Sequence, residues 1–529
     1  MPQESKIQYV VCSDFTPGLN TLDDPIDLDI GASPAILNMD ITKKGKLLAR
    51  YGYELVSTIG TGAIRGMQPF YRTYGSNSGD YLVTHSADGN SYYTTAANLT
   101  PTLIGAWGTD AGNPVRGATF NNLAIFSEGR GANVMKQWDA TTLSNVAGSP
   151  PQVNVFGVFQ KRMFCSGATA APSRVNYSDV DALTNIATNF INVTVGDGWD
   201  VTAMVSNNDF LQVYKTDTIN GINFSFDTSY NLTAPQLQPI VNSQGGAWAT
   251  DSTQAIYGNT YYLSNKGFET YGPSPERITA DRPLPLSLQI EPTVKTVNMA
   301  YPNSIVSAFF DQKYICAAPL NNSSIANYCF VYNESIKRRF GKDNWTMYDN
   351  IPASAFVKFR NSKKRDELFF GSALENKIFK FNNSFSDAGH GYKKLWTSKT
   401  FKFGERTNYY YLDLEGVKTV GSTIKLLVYT DQKLAQDVID DANFVNATLT
   451  GAYVGDSLVG LGYVGGGYEG SESPLYKWKK RFYFPSTVNY GYNMYFLLYN
   501  DEDGQGFGLN LYKLAYRSEA EEPTYRATE

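Results

Sequence analysis

The feature that most constrains this chain is a hairpin that keeps returning. Its clearest copy lies in Pro114 to Asp139, PVRGATFNNLAIFSEGRGANVMKQWD. Val115 to Phe120 reads as a short strand, Asn121-Asn122 turns the chain, and Leu123 to Phe126 pairs back. Glu128-Gly129-Arg130-Gly131 makes a second turn, and Val134 to Trp138 adds a third strand. Short apolar runs bounded by Asn and Gly are hairpin signals, because those residues accept the backbone angles that tight turns require.

The same plan recurs from residue 59 to residue 395. Ile64 to Phe70 precedes Asp80 to Thr84, and Asn154 to Val158 precedes Arg162 to Cys165. Thr202 to Val205 precedes Phe210 to Tyr214, and Gly246 to Trp248 precedes Thr260 to Leu263, after which Asn265 to Tyr271 turns into an outer strand. Ile305 to Phe309 precedes Lys313 to Cys316, and Ser354 to Val357 precedes Glu367 to Gly371. The period is roughly 40 to 50 residues, the range of β-propeller blades. Each unit opens on a strand rich in Gly, Ala and Ser, which suits a tightly packed central axis, and continues with a larger, more apolar strand suited to lie between neighbours. A lone small sheet leaves its faces wet, whereas circular stacking covers them. The expected fold is therefore all-β, a propeller of about seven blades with six to eight within the count's tolerance. A string of hairpins forming irregular sandwiches is the competing arrangement.

Composition agrees with strands. There are 37 Tyr, 30 Phe and 7 Trp, which favour pleated surfaces, and 46 Gly to supply turns. A chain of 529 residues exceeds one simple core, so more than one unit is expected. With 45 Lys+Arg against 50 Asp+Glu, the net charge of −5 argues against a protein that grips nucleic acid through its phosphates.

The two flanks differ from the repeat. Residues 1–58 form an arm with a strand at Val10-Val11, turns at Pro17-Gly18 and Asp24-Pro25, and a hairpin of Ile36 to Ile41 with Leu47 to Tyr53 around the polar tip Thr42-Lys43-Lys44-Gly45. Residues 396–517 alternate in long strands, including Tyr409 to Glu415, Ser422 to Tyr429, Tyr476 to Phe484, Tyr492 to Tyr499 and Leu509 to Tyr516, and read as a separate C-terminal β-sandwich. Residues 518–529 read as a mobile acidic tail. Met1 to Ser5 leads to no apolar core segment, so no secretory leader is expected, and no run is long enough to span a membrane.

No catalytic, cofactor-binding or metal-binding residues are singled out. Cys12, Cys165, Cys316 and Cys329 stand alone without a CxxC pair and are expected to be small buried hydrophobes. His85 and His390 are the only histidines, too few for histidine-based metal sites or a Ser–His–Asp arrangement. Asp23, Asp24, Asp27 and Asp29 form an acidic loop whose spacing does not match a calcium loop. Lys337-Arg338-Arg339 and Lys363-Lys364-Arg365 are read as solvated turns, since no basic run lies beside them in sequence. In Tyr476 to Phe484 aromatics alternate with cations; base stacking and a half-buried strand with one wet face both produce that pattern, and the second is favoured.

Both flanks resemble one family. Gly18-Leu19-Asn20-Thr21, Asp24-Pro25, Ala35 to Asp40 and Gly45 to Tyr53 are similar to the start of many tailed-bacteriophage structural proteins, where such a run precedes a propeller. Leu412-Asp413-Leu414-Glu415 with Tyr476 to Arg481 resembles the terminal sandwich of podovirus-type tail-hub proteins, also called nozzle or head-stabilisation proteins. The resemblance implies a structural virion protein assembled in the host cytoplasm. It implies a homo-oligomeric ring, usually a hexamer, below the portal or head-to-tail adaptor, with fibres, spikes or a needle attached and double-stranded DNA passing without sequence-specific binding. It implies no catalytic residue, no cofactor and no membrane-spanning segment.

Two other functions are open to such a fold. A tail fibre or receptor-binding component is one. A glycan-binding or glycan-cleaving propeller is the other, and cleavage needs two carboxylates about 5 to 10 Å apart. Asp209, Asp251, Asp311 and Asp366 are the acids at blade-edge turns that such a site would draw on.

Overall fold

The computed structural model describes residues 7–518 apart from 76, 111, 130–132, 208–209, 225–234, 242–244, 273–284, 432 and 450–474. Seven small antiparallel sheets stand around one axis. In chain order they occupy residues 64–106, 116–145, 155–192, 201–241, 254–271, 306–349 and 353–381, with a last strand added to the seventh from the arm. The fifth shows three strands among the described residues, and the others have four. The innermost strand of each blade touches that of the next, and Ala353–Arg360 of blade seven touches Ile64–Arg72 of blade one, which closes the circle.

The circle exists because each blade is apolar on both faces. The blade junctions are filled by buried sets, and that between blades five and six is continuous with the core of the terminal sheet. Phe70, Val83, Trp107, Phe126 and Trp138 fill the space between blades one and two, and Ile64, Leu82, Val357, Phe359 and Phe369 fill that between seven and one. Burying one such side chain contributes about 1.5–3 kcal/mol, and only stacked neighbours bury both faces at once. The expected small residues do sit innermost. A Cβ on Gly66 would lie 1.9 Å from the Val115 carbonyl oxygen, and one on Gly117 would lie 2.1 Å from that of Ile125, so neither position admits a side chain. The turn Asn121-Asn122 holds both residues at positive φ, 44° and 63°, which asparagine tolerates better than most residues.

One repeat starts later than its sequence indicates. Gly246 to Trp248 is not the opening strand of blade five; the strand is Gln254–Ile256, paired with Asn259–Ser264. Trp248 is held as loop by its indole N–H, which donates to the Met299 carbonyl at 3.0 Å.

The arm is shared out among the other parts. Gln8–Cys12 adds an edge strand to Phe507–Ser518, and Ile36–Leu37 pairs with Lys394–Thr397. Met39–Ile41 and Leu47–Ala49 form the expected small hairpin. Tyr53–Thr58, on the arm side of the boundary drawn at residue 58, pairs with Lys377–Phe381 as the outer strand of blade seven. The N-terminal end of the chain thus completes the last blade.

The C-terminal unit is a ten-stranded sheet curled into a half-barrel. Its spine is Phe401–Thr419, which starts against Tyr490–Asn500 and then, past a register shift between Lys402 and Thr407, runs between Leu475–Tyr483 and Phe507–Ser518. Curling brings Leu426, Val428, Phe496 and Leu498 into one core with Leu412, Leu414, Trp478 and Tyr512. No helix among the described residues is long and apolar enough to cross a membrane.

Candidate functional site

The inner strands converge on a cavity of about 230 Å³ on the axis, lined by residues of all seven blades. It lies where these strands begin, so its wall is made by the first residues of each. Arg116, second in the run Val115 to Phe120, projects from blade two. Its Nε donates to the Asp251 carboxylate at 2.7 Å and its Nη2 to the Asn303 side-chain oxygen at 3.2 Å. Asp251 opens blade five and Asn303 precedes blade six, so this one guanidinium spans the axis. The Arg116 side chain is only 9% exposed, while Asp251 keeps 32%. Ser307 donates its hydroxyl to the Asp251 carbonyl at 2.7 Å, and Gln254 donates to the Ser307 carbonyl at 3.1 Å. Beside them Arg65 holds Asp110 through both Nε and Nη2, at 3.0 and 2.8 Å. Two cations face two carboxylates, and the apolar part of the wall comes from Met67, Met204, Phe156 and Phe356. The volume lies below the roughly 300–1,000 Å³ usual for small-molecule sites.

A second polar centre lies where the arm meets the propeller. Arg50 makes a paired contact to Asp387, with Nη1 to Oδ1 at 2.9 Å and Nη2 to Oδ2 at 2.6 Å. Both side chains are buried, at 1% and 0% exposure. Arg50 Nε also donates to Asn38 at 2.8 Å, and its guanidinium lies 4.0 Å over the Tyr392 ring. Burial opposes the Arg50 charge, but Asp387 more than offsets it and holds the group above its ordinary range. Nearby, Lys313 reaches Asp40 at 2.7 Å, and burial lowers Lys394 to about 8. These groups bind elements distant in sequence to one another and leave about 20 Å³ of space among them.

The acids singled out in the sequence are not brought together. Asp251 stands at the start of the inner strands. Asp311 follows Val306–Phe310 and Asp366 pairs with Arg360 at the end of Ala353–Arg360, so both lie at the opposite end of their strands. Asp209 lies outside the described residues. All four cysteines are buried and free. Cys329 faces Ala317 across its strand pair while Cys316 faces Phe330, which puts the two thiols on opposite faces of blade six. Burial raises the Cys165 and Cys316 thiols to about 12 each.

The structure places three further groups of residues. In Leu475–Tyr483, Trp478 and Phe482 point into the core while Lys479 and Arg481 face outward and pair with Glu415 and Asp413 at 2.5 and 2.6 Å, the half-buried alternation. Asp23, Asp24, Asp27 and Asp29 are exposed. Lys337-Arg338-Arg339 is not a turn but part of a helix, Glu334–Phe340, capped by Asn333 and ended by Gly341 at φ 71°. A basic neighbour does lie beside it in space. Arg339 donates to the Lys43 carbonyl at 2.8 Å, which brings the arm's Lys43-Lys44 tip to the helix. No sequence spacing links residues 43 and 339, so the cluster was invisible until folded.

Fold and site together define a seven-bladed propeller whose axis is bridged by an ion pair and whose N-terminal arm joins it to a curled terminal sheet. No protein-family model and no curated protein matches the chain.

Proposed function

We propose that this chain is a ring-forming structural protein of a bacteriophage tail, standing below the portal or its adaptor as a ring of six. In this reading the DNA path runs between subunits, and the outer face carries fibres or spikes. The protein acts as a scaffold, not as an enzyme, and its place is the virion.

The observation that carries the reading is the bridged axis. Arg116 spans it to Asp251, and the space beside them is only about 230 Å³. A duplex has no path through a single propeller, and of the acids the sequence offered for glycan cleavage, Asp311 and Asp366 lie at the other end of the blades from Asp251. The similarity of both flanks to tail-hub proteins supplies the class. Light scattering and electron microscopy of the purified chain test it: a ring of defined size without added ligand is expected. A strict monomer at high concentration overturns it.

A further inference from the structure

The surface carries two patches of opposite character. The first gathers Lys44, Arg338, Arg339 and Lys342, all exposed, around the exposed rings of Tyr257 and Phe340. Three separate stretches build it. Arg338 lies 3.6 Å over the Tyr257 ring from the turn of blade five, and Arg339 is tied to the arm tip through the Lys43 carbonyl. The acids beside it, Glu334, Asp343 and Asp14, each already face a cation: Arg338, Lys337 and Lys342. The second patch is the arm loop that carries Asp23, Asp24, Asp27 and Asp29, with Leu22 and Ile30 exposed at its two ends. None of these four acids pairs with a cation among the described residues. Among the described residues, the Asp23 and Asp24 side chains accept hydrogen bonds from Asn20 and from the Ile26 N–H.

The geometry points to a contact between copies of this chain in which the loop at residues 22–30 of one copy seats on the basic patch around Arg338 and Arg339 of the next. The inference rests on the ring reading and says where its subunits meet. The partner is a second copy because both halves of the match are present on one chain: four acids flanked by two aliphatic side chains, and a patch around two aromatic rings where Lys44, Lys337, Arg338, Arg339 and Lys342 outnumber Glu334, Asp343 and Asp14. Opposite charge steers the encounter and fixes register, while Leu22 and Ile30 against Tyr257 and Phe340 supply an apolar centre within a polar rim. Two different patches meeting head to tail make a heterologous contact, and such contacts close into rings when the rotation between neighbours allows.

The test uses the full chain with charge reversals at exposed positions. Arg338→Glu with Arg339→Glu forms one variant. Asp27→Arg with Asp29→Arg forms the other, at side chains that make no hydrogen bond or ion pair within the described residues. Circular dichroism and melting check that each is folded. Light scattering is expected to show a ring for the parent chain, loss of the ring in each variant alone, and its return when the two variants are mixed, because the reversed patches then complement each other. The parent ring is also expected to dissociate as salt rises. A parent ring that survives both reversals overturns this contact and leaves the ring reading standing; a parent that is monomeric throughout overturns both. Should a variant fail to fold, neutral Arg339→Gln and Asp27→Asn replace it, each expected to weaken assembly at least tenfold.

Discussion

Arg116 and Asp251 meet across the propeller axis, the guanidinium Nε of blade two 2.7 Å from the carboxylate of blade five. In a seven-membered circle these blades stand on opposite sides, so the pair ties the ring across its diameter. Removing Asp251 leaves the nearly buried Arg116 guanidinium without its anion. Asp251→Asn is expected to destabilise the chain by about 1–3 kcal/mol, and Arg116→Met by less, since the carboxylate it leaves behind is partly exposed. Combining them in urea unfolding should show that the two losses do not add. Additive losses would mean that the two side chains act independently.

The Arg50–Asp387 pair makes a stronger demand. Both groups are buried, so truncating one strands a charge in the interior, an effect of about 3–5 kcal/mol. Arg50→Met should lower the melting temperature and, because Arg50 anchors the arm three residues before Tyr53, expose the arm to limited proteolysis. Arg50→Lys keeps the charge but lacks the paired geometry, and should recover only part of the loss. A variant whose arm resists protease as well as the parent's would rule out the anchoring role.

Completion of blade seven depends on Tyr53–Thr58. The Tyr53 ring packs at 5.0 and 5.1 Å from Phe370 and Phe379, and its hydroxyl donates to the Asn350 carbonyl at 2.8 Å. Tyr53→Ala is expected to destabilise by about 3–5 kcal/mol. A chain beginning at residue 59 leaves Lys377–Phe381 as an open edge, a template for pairing with other chains. It should elute as aggregate in size-exclusion chromatography; a soluble, folded product of the expected mass would contradict that dependence.

How far the sequence foretold this architecture follows from the range of the interactions. Hairpins are local, so Asn121-Asn122 and the apolar runs around it revealed the repeat and the number of blades. What pairs at long range stayed hidden. Tyr53–Thr58 has a strand pattern, but nothing in it names a partner more than 300 residues on, so in sequence it reads as part of the arm. Arg116 reads as one cation among many until folding sets it against Asp251. Gln254–Ile256 is too short to stand out beside Trp248, whose indole is satisfied by a loop carbonyl instead. Lys43 and Arg339 form one patch only because the arm returns to blade six.

His85 gives the fold a defined acid sensitivity. It lies on the second strand of blade one, 4.4 Å from the Phe126 ring, with Nδ1 2.9 Å from the Ser91 hydroxyl. Burial alone lowers its pKa from 6.5 to about 3. The unfolded chain therefore takes up a proton near pH 6.5 that the folded chain refuses until about pH 3, and stability falls as pH drops through that window. The slope attributable to this group approaches about 1.4 kcal/mol per pH unit below 6. Replacing His85 with Gln removes the titration, so urea melts at pH 7, 6, 5 and 4 should converge: the variant starts less stable at pH 7 and loses less on acidification. Parallel pH profiles for the two proteins would show that His85 is protonated in the folded state or reached by solvent.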